Sequence, residues 1–177
     1  PMPNTRPATD CPERIALVRQ KAAQACGVHV WPIGAVTWGQ KGQALTDAAA
    51  LKKAGAVALS DDGMPVQNAN LLRDALIRCR RQELTILSHC EDADMVKNYA
   101  VNEGRVSRAL GLPGRPAIAE ELQVMRDAML AEETGAAVHI CHISTARSVE
   151  IVRQFKKKGV PITCETCPQY FALTEDE

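Results

Sequence analysis

No stretch of this 177-residue sequence approaches the roughly 20 consecutive apolar residues that a membrane-spanning helix needs. The opening residues, Pro1 to Arg14, lack the hydrophobic region of a signal peptide, so a cytoplasmic protein is expected. Net charge is missing as well, because 21 basic residues balance 21 acidic ones. Without a basic excess, neither nucleic acid nor an anionic membrane is expected as a partner, which leaves small molecules. The seven cysteines, at positions 11, 26, 79, 90, 141, 164 and 167, are odd in number and scattered, and do not resemble a disulfide framework. Most read as free core thiols. Cys164 and Cys167 form a CxxC, but no second pair completes a zinc or redox site.

What remains is a globular composition, 46% hydrophobic and 24% charged, enough for a real core. Apolar periodicity and stop signals predict helices over Pro12 to Cys26, Thr46 to Lys53, Asn68 to Arg81, Ile118 to Thr134 and Ala146 to Lys158. Between them lie β-rich runs at Val28 to Val36, Ala56 to Leu59, Leu84 to His89, Ala137 to Ile143 and Val160 to Glu165. This is βαβα order, the pattern of a parallel α/β fold. The connection from Glu91 to Ala117, rich in Gly and Pro, interrupts the rhythm, and loops of that length in compact domains are often functional. No linker, low-complexity segment or second domain is evident, so residues 1–177 read as a single domain.

The chemistry gathers where the strands end. The second run closes on Leu59-Ser60-Asp61-Asp62-Gly63, the third on His89 with Glu91 and Asp92, the fourth on His142 with Ser144 and Thr145. Asp before Gly is ordinary turn chemistry, because Asp bonds its own backbone and Gly accepts positive φ. The other reading is functional, since a carboxylate at the end of a buried strand needs a cation, a hydrogen bond or water. In parallel α/β folds the active site is built at the carboxyl ends of several strands. Three successive strands offering Asp62, His89 and His142 at one end therefore favour a metal site. His139 lies three residues before His142, and strand alternation sends the two to opposite faces. His139 and His29 are expected to be hydrogen-bonded structural residues.

Several blocks, read together, carry a resemblance. "MPNTRP", "WPIGAVTWGQKGQALTD", "GAVALSDDGMPVQ", "ILSHCED", "EGRVSRALGLPGRPAIAE", "HICHISTARSVEIVR" and "CETCPQYFALTEDE" keep the order and spacing of a bacterial class I (long type) dihydroorotase of the metal-dependent amidohydrolase superfamily. The resemblance implies a (β/α)8 TIM-type barrel, incomplete here and comprising about strands 2 or 3 to 7. It implies two zinc ions, with Asp62 bridging them and His89 and His142 ligating one. It places Asn4 near the substrate carboxylate. The implied reaction interconverts dihydroorotate and N-carbamoyl-aspartate in pyrimidine synthesis, where zinc ions activate water and polarise a poorly electrophilic amide.

The same resemblance expects a His-x-His pair before Pro1 and a general acid/base aspartate after Glu177. A complete barrel needs about 250 residues, and 200 is near the lower limit. The chain by itself is therefore expected to bind zinc weakly, to turn over little, and to associate through uncovered sheet edges. The resemblance implies as partner a second copy of the chain or aspartate carbamoyltransferase. Two alternatives compete. A hydantoinase or allantoinase usually carries a carboxylated lysine where this chain has Asp62, and no lysine occurs between Gly55 and Val96. A non-catalytic homologue that partners aspartate carbamoyltransferase typically loses metal ligands, whereas Asp62, His89 and His142 are all present.

Overall fold

The structure is a computed structural model that describes residues 1–25 and 27–174. Helix α1 (Pro12–Ala25) precedes strand β1 (Ile33–Ala35), α2 (Ala48–Ala54) leads to β2 (Ala58–Ser60), and α3 (Ala69–Arg81) to β3 (Thr85–Ser88). Next come β4 (Val101–Asn102), α4 (Arg105–Leu110) and β5 (Gly114–Arg115). Helix α5 (Ile118–Thr134) leads to β6 (Val138–Ile140), α6 (Ala146–Lys157) to β7 (Ile162–Cys164), and α7 (Pro168–Ala172) follows. Helix starts are written in the sequence. The side chains of Asp47, Asn68 and Thr145 accept hydrogen bonds from backbone N–H groups in the first turns of α2, α3 and α6. Each such cap is worth about 1 kcal/mol.

Five strands form one parallel sheet in the order β1-β2-β3-β6-β7. The register aligns Ala58 with Thr85, Ile86 with Val138, and Val138 with Ile162. Parallel neighbours need a crossover, and helices supply it. One apolar cluster joins Ile15, Leu51, Leu72 and Leu76 of the first three helices to Leu59 and Ile86. A second joins Val124, Ala128, Ile151 and Phe155 to Val138, Ile140 and Ile162. With Ile86 and Ile140 turned toward helices, alternation turns Leu87, His89 and His139 to the other surface. Five adjacent parallel strands with helices on one face are the arrangement of part of a (β/α)8 barrel. No helix among the described residues is long and apolar enough to cross a membrane.

The strands are shorter than the β-rich runs. Of Val28 to Val36 only Ile33–Ala35 pairs; Val28 is 79% and Trp31 63% exposed, and Pro32 offers no N–H to a ladder. The connection from Glu91 to Ala117 is not a bare loop, because α4 and the short parallel pair β4 and β5 fold within it. The helix expected over Pro12 to Cys26 is present to Ala25, and Cys26 lies outside the described residues. Of the remaining cysteines Cys79, Cys90 and Cys141 are buried free thiols, as expected, whereas Cys164 is exposed and Cys11 and Cys167 are half-buried.

Candidate metal centre

Asp62, His89 and His142 come together although 27 and 53 residues separate successive members. Each sits just past the carboxyl end of a strand, β2, β3 and β6 in turn. His89 Nδ1 lies 2.9 Å from His142 Nε2, and Asp62 Oδ1 lies 3.7 Å from the first and 3.8 Å from the second. Zinc bonded at about 2.0–2.1 Å in a tetrahedron holds its ligands about 3.3 Å apart, and the three separations bracket that spacing. The remaining nitrogen of His89, Nε2, faces Glu91 Oε2 at 3.6 Å. That carboxylate orients the ring and leaves Nδ1 directed at the centre, as an outer partner of a metal-bound histidine does.

Two local features aim these side chains. Gly63 follows Asp62 with φ of 76°, and Met64 N–H donates to Asp61 C=O at 2.9 Å, so the chain turns as soon as the carboxylate has been presented. His142 itself has φ of 38°, unusual for a residue with a Cβ. Strand β6 stops at Ile140, so the turn at His142, and not strand alternation, separates it from His139. His139 Nδ1 instead meets Thr163 Oγ1 at 2.8 Å, and its Nε2 lies 3.7 Å from Glu165 Oε2. Its metal-ligating atoms group with those of Glu165 and Cys141, and burial chiefly pushes the Cys141 thiol up to about 12. His139 is thus hydrogen-bonded, as expected. His29 has no side-chain hydrogen bond among the described residues: it is exposed and stands 6.1 Å, centroid to centroid, from Trp31, outside any strand.

The two aspartates divide their work. Asp61 is buried and its Oδ1 accepts from Val36 N–H at 2.8 Å and Thr37 N–H at 3.2 Å, while Oδ2 accepts from the Thr37 hydroxyl. It ties the end of β1 to the end of β2. Asp62 points the other way. Its Oδ1 faces both histidines and its Oδ2 accepts from Asn4 Nδ2 at 2.9 Å. Asn4 therefore joins the site, through Asp62.

Charges in the centre are coupled. The contact with His142 holds the Asp62 carboxyl below its ordinary range, and Asp62 in turn raises the His142 pKa. Burial, then the charge of His142, lowers that of His89. At Asp61, burial pushes the pKa up to about 6 against the pull of Thr37 and Val36. A raised carboxyl pKa means that the folded chain holds this proton more tightly than the unfolded chain. The stability it contributes is complete below about pH 4 and is lost as pH rises through about 6, on the order of 2–3 kcal/mol. Urea unfolding between pH 4 and 7.5 is expected to show that slope, and Asp61→Asn to flatten it.

Two charged residues that the sequence did not single out complete the surroundings. Arg115 Nε donates to Glu91 Oε1 at 2.6 Å and its Nη2 lies 3.8 Å from Glu120 Oε2. Glu120 is a carboxylate on a buried face of α5, and that burial is the only signal that would have flagged it.

Comparison with known proteins follows the same lines. Residues 1–148 match the family model described as dihydro-orotase-like. The chain belongs to this dihydro-orotase-like family. Over 175 residues it is 47% identical to the dihydroorotase of Acetivibrio thermocellus, covering 99% of this chain and 41% of that protein. Over 179 residues it is 48% identical to the dihydroorotase of Pelotomaculum thermopropionicum, with the same two coverages. The chain thus spans about two fifths of the length of these dihydro-orotase-like relatives. Among solved structures it is similar to the L-hydantoinase of Arthrobacter aurescens, with a TM-score of 0.80 and 21% identity over 99% of this chain and 40% of that one. A D-hydantoinase matches with a TM-score of 0.72 at 19% identity over 94% of this chain and 38% of that one. At such identities the likeness establishes the fold, part of a (β/α)8 barrel.

Proposed function

We propose that this chain is the metal-binding portion of a zinc-dependent dihydroorotase, one domain with the rest of its barrel, acting on the small molecule dihydroorotate. The observation that carries this is the convergence of Asp62 Oδ1, His89 Nδ1 and His142 Nε2 at the carboxyl ends of three parallel strands. Relatives at 47–48% identity that are themselves dihydroorotases support the choice of substrate. Two imidazoles and a carboxylate suit zinc. Asp62 has Oδ1 toward the histidines and a second oxygen, Oδ2, on Asn4, and would be the residue that two zinc ions share.

The ring amide of dihydroorotate resists attack by water. When bound, zinc supplies Lewis-acid polarisation and lowers the pKa of water. The chain's own residues set the conditions. His89 and His142 serve as neutral imidazoles, and Asp62 brings one negative charge that compensates the cations without cancelling them. Asn4, whose Nδ2 donates to Asp62, would offer its amide N–H to a substrate carboxylate. Water adds across the ring C–N bond, and the product is N-carbamoyl-aspartate with one new carboxylate.

The test uses a full-length protein that carries this segment, reconstituted with zinc in carbon-dioxide-free buffer. Activity on dihydroorotate is expected to equal that of a sample given bicarbonate, because Asp62 needs no carboxylation, and hydantoins are expected to be turned over barely at all. Asp62→Asn keeps the shape and removes the charge, and is expected to lose zinc and rate together. Bicarbonate-dependent activity, or an Asp62→Asn protein with full zinc and normal turnover, would remove Asp62 from this role.

A further inference from the structure

Helix α5 carries a row of buried polar side chains, Glu120, Gln123 and Asp127, where a helix packed between α3 and α6 and over the sheet would ordinarily be apolar. Their spacing of three and four residues puts them on one stripe. Every member reaches a segment next to a metal-ligand candidate. Asp127 Oδ2 accepts from the Ser88 hydroxyl and, at 3.6 Å, from Cys90 Sγ. Ser88 and Cys90 flank His89 and face the helices, so His89 faces the centre. Both oxygens of Glu120 accept from Ser144 N–H, at 3.0 and 3.1 Å; Oε2 also accepts from the Ser144 hydroxyl and Oε1 from Thr145 N–H at 3.2 Å. These are the second and third residues after His142. Gln123 Nε2 donates to Gln67 Oε1 at 3.2 Å, and Gln67 Nε2 donates to Glu91 C=O at 3.0 Å, behind the carboxylate that faces His89.

We propose that α5 is the positioning element of the metal centre: Glu120 fixes the turn that presents His142, and Asp127 fixes the strand end that presents His89. His142 gives the strongest reason. Its left-handed φ of 38° persists only where the flanking chain is over-determined. Cys141 N–H donating to Ser88 C=O at 2.9 Å holds one side of it. Ile143 N–H, donating to Glu165 C=O at 2.9 Å, and Ser144 on Glu120 hold the other. The buried charges are compensated outside the centre, by Arg115 for Glu120 and by Arg126 for Asp127 at 2.8 Å. Glu120 and Asp127 contact the residues that flank His142 and His89, and act through the two histidines.

This inference rests on Asp62, His89 and His142 being the ligands, and its test separates the two. In the metal-free chain, the ring-nitrogen resonances of the histidines are read by 1H–15N NMR. Glu120→Gln is expected to shift those of His142, and Asp127→Asn those of His89. In zinc titrations each variant is expected to lose tenfold or more in affinity, the scale of removing an outer partner of a ligand. Should either variant fail to fold, Ser144→Ala and Ser88→Ala remove the hydroxyl bonds to Glu120 and Asp127 from the other side, and are expected to shift the same resonances by less. Thr134→Val is the control, a buried residue of α5 whose hydroxyl, among the described residues, bonds within the helix and its exit turn. Unchanged resonances and affinities in the folded variants would overturn the proposal, as would equal losses in Thr134→Val. Zinc binding that ignores His89→Ala and His142→Ala would instead sink the ligand assignment, and the ring resonances would still decide what α5 positions.

Discussion

Asp61→Ala is expected to destabilise the chain by about 3 kcal/mol, while Asp62→Ala, one residue on, is expected to cost less than about 1 kcal/mol and to abolish zinc binding. Losing Asp61 takes the acceptor from two buried donors, Thr37 N–H and the Thr37 hydroxyl, and leaves Val36 N–H only its longer bond to Ser60 C=O at 3.3 Å. Each unsatisfied donor costs about 1–3 kcal/mol before relaxation. Losing Asp62 frees Asn4, which is exposed and can bond water. It also removes the carboxylate that both histidines face. In a chain of this size, about 3 kcal/mol lowers the melting temperature by roughly 10 °C. Thermal unfolding alongside zinc titration of the two variants reads both effects, and a swap between them would reverse the roles given to the pair.

His142→Ala is expected to weaken zinc binding by more than the roughly 10- to 100-fold that losing an outer partner costs, and to remove most activity from a full-length protein. His139→Ala is expected to keep both and to lower stability by about 1 kcal/mol, the worth of its hydrogen bond to Thr163. The comparison is sharp because the two residues are neighbours in the sequence motif but belong to different side-chain groups. A His139→Ala protein that is folded and metal-free would show that the register of β6 and its exit turn is misread.

The sequence disclosed these candidate ligands because strand ends concentrate polar residues that the interior of a strand cannot hold. Asp62, His89 and His142 each follow an apolar run, and all three ended where a parallel sheet gathers them. Helices were equally legible where periodicity and stop signals agreed: Ile118–Thr134 begins and ends as expected, and α3 and α6 each fall one residue short of the expected range because Asn68 and Lys158 cap them from outside. Strand lengths were not, because pairing depends on partners elsewhere. Val28 to Pro32 is β-rich yet remains outside the sheet. Glu120 and Asp127 were hidden for the same reason, since the groups they hold are 24 and 39 residues away. The reason for separating His139 from His142 also changed. Alternation cannot act through a residue with φ of 38°, and that backbone angle had no signature in the sequence.

The central claim, that Asp62, His89 and His142 form a metal centre, is tested most directly by X-ray absorption at the zinc edge on the chain loaded with one equivalent of zinc. The account predicts a first shell of nitrogen and oxygen alone at about 2.0–2.1 Å, with outer scattering from two imidazole rings that falls to one in His142→Ala. A sulfur shell at about 2.3 Å would place the ion on cysteine, at Cys141 or at the Cys164 and Cys167 pair, and would contradict it.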